Sequence, residues 1–430
     1  MDKTPDFLSR IIARAEIVLR TDLRYIFHGM SWSIVGQTAA VLSSLALSVV
    51  LSHAVSKEIY GTYKYVLSFV AILSVLSLNN VGGAVFQSVA RGFDGALKEG
   101  FRVNLHWSIA IFAGAVAAGA YYFFAHNLTL AFAILIGGCI SPFITSANIF
   151  GAYLGAKKDF ARQTLYMDVW GNAIPVALLI ATAYVSPRVV SLVAAYFIGN
   201  AAVALYFYFR TRRVYGVKKD AATDPHMIAY GKHISVIGVL AGIAGNVDKL
   251  LLFHYVAASE LAVYAFATGI LDQLKGPIKT LDTMMQARFA TRTDADLQSG
   301  IPSKMLWMFL FSIITVLAFI AVAPVLYRLL FPAYLEAVPY ARVYAFSLLG
   351  ITFYPIASYI VAKSIESNRR LRDQYLLIVI PSIIQIAAIF VGILGWGLWG
   401  LVVARVASSF ATGLVTILIY LTLIRGRTEI

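Results

Sequence analysis

The sequence is poor in cysteine and in charge. Its single cysteine, Cys139, lies in an apolar stretch, which excludes an intrachain disulfide and a cysteine-based metal cluster. Only 13% of the residues are charged, whereas 60% are hydrophobic. A soluble chain of 430 residues could not bury so much apolar surface in one core. The composition therefore predicts a protein that crosses a membrane many times.

Twelve apolar runs are long enough to cross a membrane as helices, for which about 20 residues suffice. Alternating barrel strands would be about ten residues long and much less apolar. The predicted spans are 27–52, 60–82, 103–124, 128–155, 164–185, 189–209, 231–256, 260–289, 303–325, 337–363, 373–394 and 397–424. The sequence thus predicts an all-α polytopic membrane protein with twelve transmembrane helices.

Acidic residues are fewer than basic ones, with 21 Asp and Glu against 35 Lys and Arg. The termini and alternate loops on one side of the predicted spans contain 26 of the basic residues. The other side contains three, Lys57, Arg188 and Arg328. Short loops rich in Lys and Arg stay in the cytoplasm, so both termini are predicted to be cytoplasmic. The net charge of +14 is then a topology signal and no nucleic acid is expected as a partner.

Residues 1–26 precede the first span and contain an amphipathic pattern. A helix through them would place Phe7, Ile11 and Val18 on one side, with Arg10 and Arg14 flanking that face. Such a helix would lie on the cytoplasmic membrane surface. A plain basic topology anchor explains the same residues equally well.

One phrase of eleven residues occurs twice, as HAVSKEIYGTY at 53–63 and HYVAASELAVY at 254–264. Each copy joins the first two spans of a set of six, and an even number of spans gives both sets the same orientation. The repeat predicts two parallel six-helix bundles around a central lumen, as in transporters that rock about a central site. The predicted domains are a cytoplasmic N-terminal segment 1–26, an N-terminal bundle 27–209, a cytoplasmic linker 210–230, a C-terminal bundle 231–424 and a cytoplasmic tail 425–430.

Charged side chains inside the spans are candidate functional residues, because a charge in hydrocarbon costs several kcal/mol. Asp272, Lys275, Lys279 and Asp282 share one face of the eighth span, where Pro277 predicts a kink. This stripe either faces a wet lumen or neutralises itself as spaced pairs. The candidate substrate-binding cations are Lys275, Lys279, Lys249, Lys64, Arg342 and Arg405, and the candidate coupling acids are Asp272, Asp282 and Asp248. The shallower groups also suit snorkelling or interfacial roles.

The chain resembles O-antigen flippases of the Wzx type, in the polysaccharide transporter family of the multidrug/oligosaccharidyl-lipid/polysaccharide exporter superfamily. The resemblance rests on SKEIYGTYKYVLSF, NVDKLLLFHYVAASELAVYAFATGI and LFPAYLEAVPYARV, although Ala262 replaces a glycine usual in the second copy. It implies a flippase that moves an undecaprenyl-diphosphate-linked oligosaccharide to the outer leaflet of the bacterial inner membrane by alternating access. It also implies membrane lipids and polysaccharide polymerase machinery as partners, and no cofactor beyond proton or sodium coupling.

Other functions remain open at this stage. A cation-coupled multidrug exporter of the same superfamily is the main alternative, although such exporters usually rely on acidic lumens and the first four spans contain no Asp or Glu. A scaffold or scramblase is a further alternative. An enzyme is not expected, because no outer loop exceeds about a dozen residues, and the sequence contains no GxxxxGK[ST] motif for ATP.

Overall fold

Every predicted span overlaps one or more helices in the computed structural model, which describes residues 23–78, 80–218, 221–289, 294–364 and 368–425. The N-terminal half runs to Val214. Its six spans are Leu23–Ala54; Lys57–Ser74 with Val81–Ala90; Ala96–Trp107 with Ile109–Phe124; Leu128–Ala147 with Ile149–Ala156; Phe160–Gln163 with Trp170–Val185; and Val189–Val214.

The C-terminal half begins at Met227. Its spans are Met227–Ala244 with Val247–Tyr255; Ala258–Phe289; Asp294–Leu330; Ala337–Ala345, Phe346–Phe353 and Tyr354–Ser364; and Asn368–Arg425, which contains the last two. Among the described residues, eight helices are long and apolar enough to cross a membrane, or nine if one bent pair counts as a span. The prediction of an all-α polytopic membrane protein is confirmed, while this criterion accepts fewer than twelve spans.

The second and eighth spans are absent from that set because both carry charge. The second has Lys57, Glu58 and Lys64 within one 18-residue helix. The eighth has Asp272 and Lys275 among its described side chains. These two helices begin within the two copies of the repeated phrase, so the polar helices occupy equivalent places in the two halves.

Several spans predicted as continuous are broken. The second is interrupted between Ser74 and Val81, and the seventh between Ala244 and Val247. The seventh also bends by 43° between His233 and Gly238. The break in the seventh is stabilised by the Gln385 amide, which donates to the carbonyl of Ala244 over 2.7 Å. The last two spans are separated by a turn at Gly397, whose φ of 57° favours glycine. Hydropathy does not detect these breaks, because the residues around them remain apolar.

The two halves meet where the second span crosses the eighth. A Cβ atom at Gly61 would overlap the carbonyl oxygen of Ala258, so only glycine permits this approach. Beside it, the rings of Tyr60 and Phe266 lie 4.9 Å apart and those of Phe266 and Tyr334 3.9 Å apart. Ala262 occupies the place equivalent to Gly61 and is fully buried with its methyl group in place. The two copies of the repeat therefore differ at this position because Gly61 makes the close backbone contact and Ala262 does not.

The linker is attached to the second span near the Lys- and Arg-rich loops, an end of the molecule called here the basic end. Asp224 accepts from the Ser88 hydroxyl over 2.8 Å and pairs with Arg91. The backbone N–H of His226 holds the pKa of the Asp224 carboxyl below its usual range, assisted by Ser88 and Arg91. Near it, Gln87 donates to the Tyr230 hydroxyl over 2.7 Å. Residues 1–22 of the predicted surface helix lie outside the described residues, and the domain boundaries stay a prediction.

Candidate functional site

A buried carboxylate stands at the break in the seventh span. Asp248 is 1% exposed and lies in the first turn of Val247–Tyr255, where the helix dipole favours an anion. The Tyr264 hydroxyl donates to its Oδ2 over 2.6 Å. The Nε atom of Arg405, from the twelfth span, lies 3.6 Å from the same oxygen. Three spans thus converge on one carboxylate that is both hydrogen-bonded and paired.

A second carboxylate, Asp272, lies in the eighth span. Lys275 donates to Asp272 Oδ1 over 2.8 Å, and the Tyr344 hydroxyl of the tenth span donates to the same atom over 2.9 Å. The lysine also lies 3.0 Å from the Tyr344 hydroxyl and 4.6 Å from its ring centroid. The structure therefore pairs Asp272 with Lys275, one of the two interpretations that their spacing left open.

Asp248 and Asp272 are each paired with a resident cation, Arg405 and Lys275, and these four residues are called here the carboxylate network. Two acids and two bases make this network neutral overall. The Asp272 side chain is 47% exposed, although Tyr344 beside it is 1% exposed. A half-exposed carboxylate facing hydrocarbon would cost several kcal/mol, which favours water rather than lipid on its open side.

Lys64 of the second span has a different environment. Its ammonium lies 5.3 Å from the ring centroid of Tyr60 and 5.9 Å from that of Tyr63. Tyr60 packs on Phe266 of the C-terminal half, whereas Tyr63 packs on Tyr196 of the N-terminal half. The lysine is therefore between the halves, and no acidic side chain pairs with it within the described part of the chain.

The remaining candidates are not brought into this network. The Lys249 ammonium lies 3.5 Å from the carbonyl oxygen of Gly245 in its own span. Arg342 is exposed and donates from Nε to the carbonyl of Ile320 over 3.2 Å. The side chains of Lys279 and Asp282 lie outside the described residues. The structure thus brings Asp248, Asp272, Lys275 and Arg405 into ion pairs within the C-terminal half. Lys64 lies beside the contact between the two halves.

Sequence reasoning missed the polar partners of these charges. Tyr264 and Tyr344 are uncharged and were indistinguishable from the many packing tyrosines. Gln273 donates to the Ser44 hydroxyl over 2.8 Å, which links the eighth span to the first. Asp168 in the fifth span was not selected either, and its carboxylate lies against Gly36 of the first span. A search of the predicted spans for polar residues at depths similar to those of the charged candidates could have found Gln273 and Asp168.

The broken helices, the repeated halves and the paired charges inside the spans define a class of membrane protein with the architecture of transporters. Solved structures agree with that assignment of the fold. An outward-facing multidrug resistance MATE family transporter of the MOP superfamily is 16% identical, with a TM-score of 0.68 over 94% of this chain and 96% of that one. The inward-facing conformation of such a transporter is 15% identical, with a TM-score of 0.64 over 92% and 99%.

A third solved structure is a MOP superfamily transporter from Pyrococcus furiosus, whose binding pocket is described as having reverse polarity. It is 16% identical, with a TM-score of 0.61 over 93% of this chain and 95% of that one. The family model for polysaccharide biosynthesis protein matches residues 50–298, more than half of the sequence. The chain therefore belongs to the polysaccharide biosynthesis protein family and has the MOP superfamily fold. A search of curated protein sequences found no match.

Proposed function

We propose that this protein is a flippase that moves an undecaprenyl-diphosphate-linked oligosaccharide, such as an O-antigen or exopolysaccharide repeat unit, to the outer leaflet. The membrane would be the bacterial inner membrane, with both termini cytoplasmic. The family match supports the pathway, and the fold supports transport by alternating access. The protein would perform no covalent chemistry.

The observation that carries the proposal is the unbalanced positive charge of Lys64. Asp248 and Asp272 are paired with Arg405 and Lys275, so the described network beside the lumen has no excess negative charge. Lys64 adds a cation between two tyrosine rings, with no acidic partner among the described residues. A diphosphate would supply the missing anion, because phosphate forms strong charge-assisted hydrogen bonds with ammonium groups.

The cations also lie at different depths. Lys64 follows Lys57, the first residue of its helix, by about 10 Å, and Lys275 follows Ala258 by about 26 Å at 1.5 Å per residue. A charged headgroup could therefore pass from one cation to another as the halves rock. Lys275 and Lys279 are proposed as further diphosphate contacts, positioned by Asp272 and Asp282. A coupling proton or sodium ion would have to compete with Arg405 at Asp248 or with Lys275 at Asp272.

A multidrug exporter is the alternative, favoured by the fold matches to multidrug transporters. A cationic drug needs an available carboxylate, whereas Asp248 and Asp272 already hold resident cations. A deletion strain separates the two functions. We expect the lipid-linked repeat unit to be made but retained on the cytoplasmic face, with unchanged susceptibility to cationic dyes. Raised dye susceptibility together with normal surface polysaccharide would instead identify a drug exporter.

The role of Lys64 is tested in the complemented deletion strain at matched protein levels. Lys64→Ala should lower surface polysaccharide by about tenfold or more, because one charge-assisted contact with the diphosphate is lost. Lys64→Arg should retain part of the export. The matched control is Arg188→Ala, which removes one exposed positive charge at the same end of the molecule. Normal export by Lys64→Ala would exclude the lysine as a diphosphate contact.

A further inference from the structure

A groove runs between the fifth and sixth spans on the surface of the N-terminal half. Its volume is about 450 Å³. The fifth span contributes Tyr166, Trp170 and Ile174, and the sixth contributes Ala202, Tyr206 and Arg210. Residues four apart lie on the same face of a helix, so the two walls are matched stripes about 12 Å long at 1.5 Å per residue.

Arg210 closes the groove at the basic end, within the last turns of Val189–Val214. Its Nε donates to the Tyr166 hydroxyl and its Nη1 to the Tyr206 hydroxyl, each over 3.0 Å. A guanidinium has five N–H groups, so these two bonds orient it and leave three for another acceptor. Among the described residues, no carboxylate pairs with it. The arginine is therefore oriented and exposed, and it has no counter-ion in the part of the chain that the structure describes.

The local backbone explains why the groove exists. Residues Thr164–Val169 form a π-helical segment, a wide turn that is rare and often occurs at functional sites. The Asn172 amide stabilises the turn by donating to the carbonyl of Asp168 over 2.7 Å. Tyr166 within this segment stacks on Phe207 of the sixth span, with ring centroids 4.2 Å apart. The wide turn thus brings the tyrosine hydroxyl to Arg210 while its ring forms the floor of the groove.

We propose that this groove is a binding site for an anionic diacyl phospholipid of the membrane leaflet at the basic end. The phosphodiester would accept from the free N–H groups of Arg210, and the upper part of one acyl chain would lie along Trp170, Ile174 and Ala202. Basic pockets between helices at this depth commonly bind anionic headgroups. Half of the Trp170 surface and 56% of the Tyr206 surface are open for this contact. The exposed apolar surfaces of Trp170 and Ile174 support a lipid-facing position for the site.

The experiment uses the purified full-length protein and native mass spectrometry to measure binding of phosphatidylglycerol and of phosphatidylcholine with the same acyl chains. We expect the wild type to bind phosphatidylglycerol about five- to tenfold more tightly. Arg210→Ala should abolish this preference. Arg213→Ala is the matched control, because it removes an exposed positive charge from the same helix end and lies outside the groove. It should leave the preference within about twofold of the wild type.

Two further variants keep the test decisive if Arg210→Ala does not fold. Arg210→Lys keeps the charge but replaces the planar guanidinium with its five donors by an ammonium with three, so the preference should fall to an intermediate value. Ala202→Phe fills the exposed groove wall without touching Arg210 and should weaken binding of both lipids. Equal losses in Arg210→Ala and Arg213→Ala would contradict the proposal. So would equal affinity of the wild type for both lipids, or displacement of phosphatidylglycerol by glycerol phosphate, which lacks acyl chains.

Discussion

At the scale of single residues, the surroundings of each intramembrane charge show whether it neutralises a buried charge or is open to another partner. Arg405 and Arg342 are both arginines in C-terminal spans, and sequence position alone treats them alike. Arg405 reaches the buried Asp248, with 19% of its side chain exposed. Arg342 is exposed and caps a backbone carbonyl. Only the first is required to neutralise a buried carboxylate.

Removing Arg405 should therefore destabilise the fold strongly. Arg405→Met leaves Asp248 buried with the Tyr264 hydroxyl as its remaining side-chain partner, and an unpaired buried charge costs about 3–5 kcal/mol. Adding Asp248→Asn removes that charge and keeps an acceptor for Tyr264. The double variant should recover much of the loss. Thermal unfolding of the four proteins in detergent gives the coupling energy of the pair.

Arg342→Met is the control for this cycle. The loss of one exposed hydrogen bond to a carbonyl should cost about 1 kcal/mol or less. If Arg405→Met unfolds at the same temperature as Arg342→Met, Asp248 is not held by Arg405 and the pairing is not structural.

At the scale of elements, the second and eighth spans combine polar character with a close contact between the halves. Gly61 is in contact with the backbone of Ala258, and Tyr60 packs against Phe266 beside it. Lys57 pairs with Glu336 at the same end. These contacts hold the spans together at the Lys57 end of the second span, next to Lys64 and the carboxylate network. The interface and the candidate site therefore depend on the same two helices.

A methyl group at this crossing should weaken the interface. Gly61→Ala forces the second and eighth spans apart, and overpacking of this kind typically costs about 1–3 kcal/mol. Both the unfolding temperature and export should fall. Gly269→Ala in the eighth span is the control, because a Cβ there would meet no atom within 4 Å. Equal behaviour of the two variants would show that the halves do not need this close approach.

At the scale of the whole molecule, the distribution of charge predicts orientation, and the repeat predicts that both halves share it. Basic loops alternate with loops that contain almost no Lys or Arg, and the linker between the halves is among the most basic. In the folded chain, Asp224 attaches this linker to Ser88 and Arg91 of the second span. The linker thus joins the halves and also contacts one of them.

Reporter fusions test the orientation directly. Fusions at residues 95, 220 and 300 should all report a cytoplasmic location, because each lies on the Lys- and Arg-rich side. A fusion at residue 187, in the loop beside Arg188, should report the opposite side. A periplasmic signal from any of the first three would contradict two parallel bundles of six spans.

The sequence by itself determined the class of the protein and the positions of its spans. The hydrocarbon around a membrane helix requires a certain length and an apolar composition. Both can be read from each stretch of sequence by itself. The repeat around His53 and His254 likewise pointed to two halves, and the polar face around Asp272 and Lys275 was visible from spacing alone.

Only the tertiary structure decided which partners these charges have. Asp248 meets Arg405 across 157 positions in the sequence, and Asp272 meets Tyr344 across 72. Neither spacing nor hydropathy encodes a contact between distant spans, because pairing depends on how the helices cross. The breaks near Gly245 and in Thr164–Val169 were equally hidden, since a wide turn or kink in an apolar run leaves the hydropathy unchanged. Such features arise from packing between helices, which a local pattern does not record.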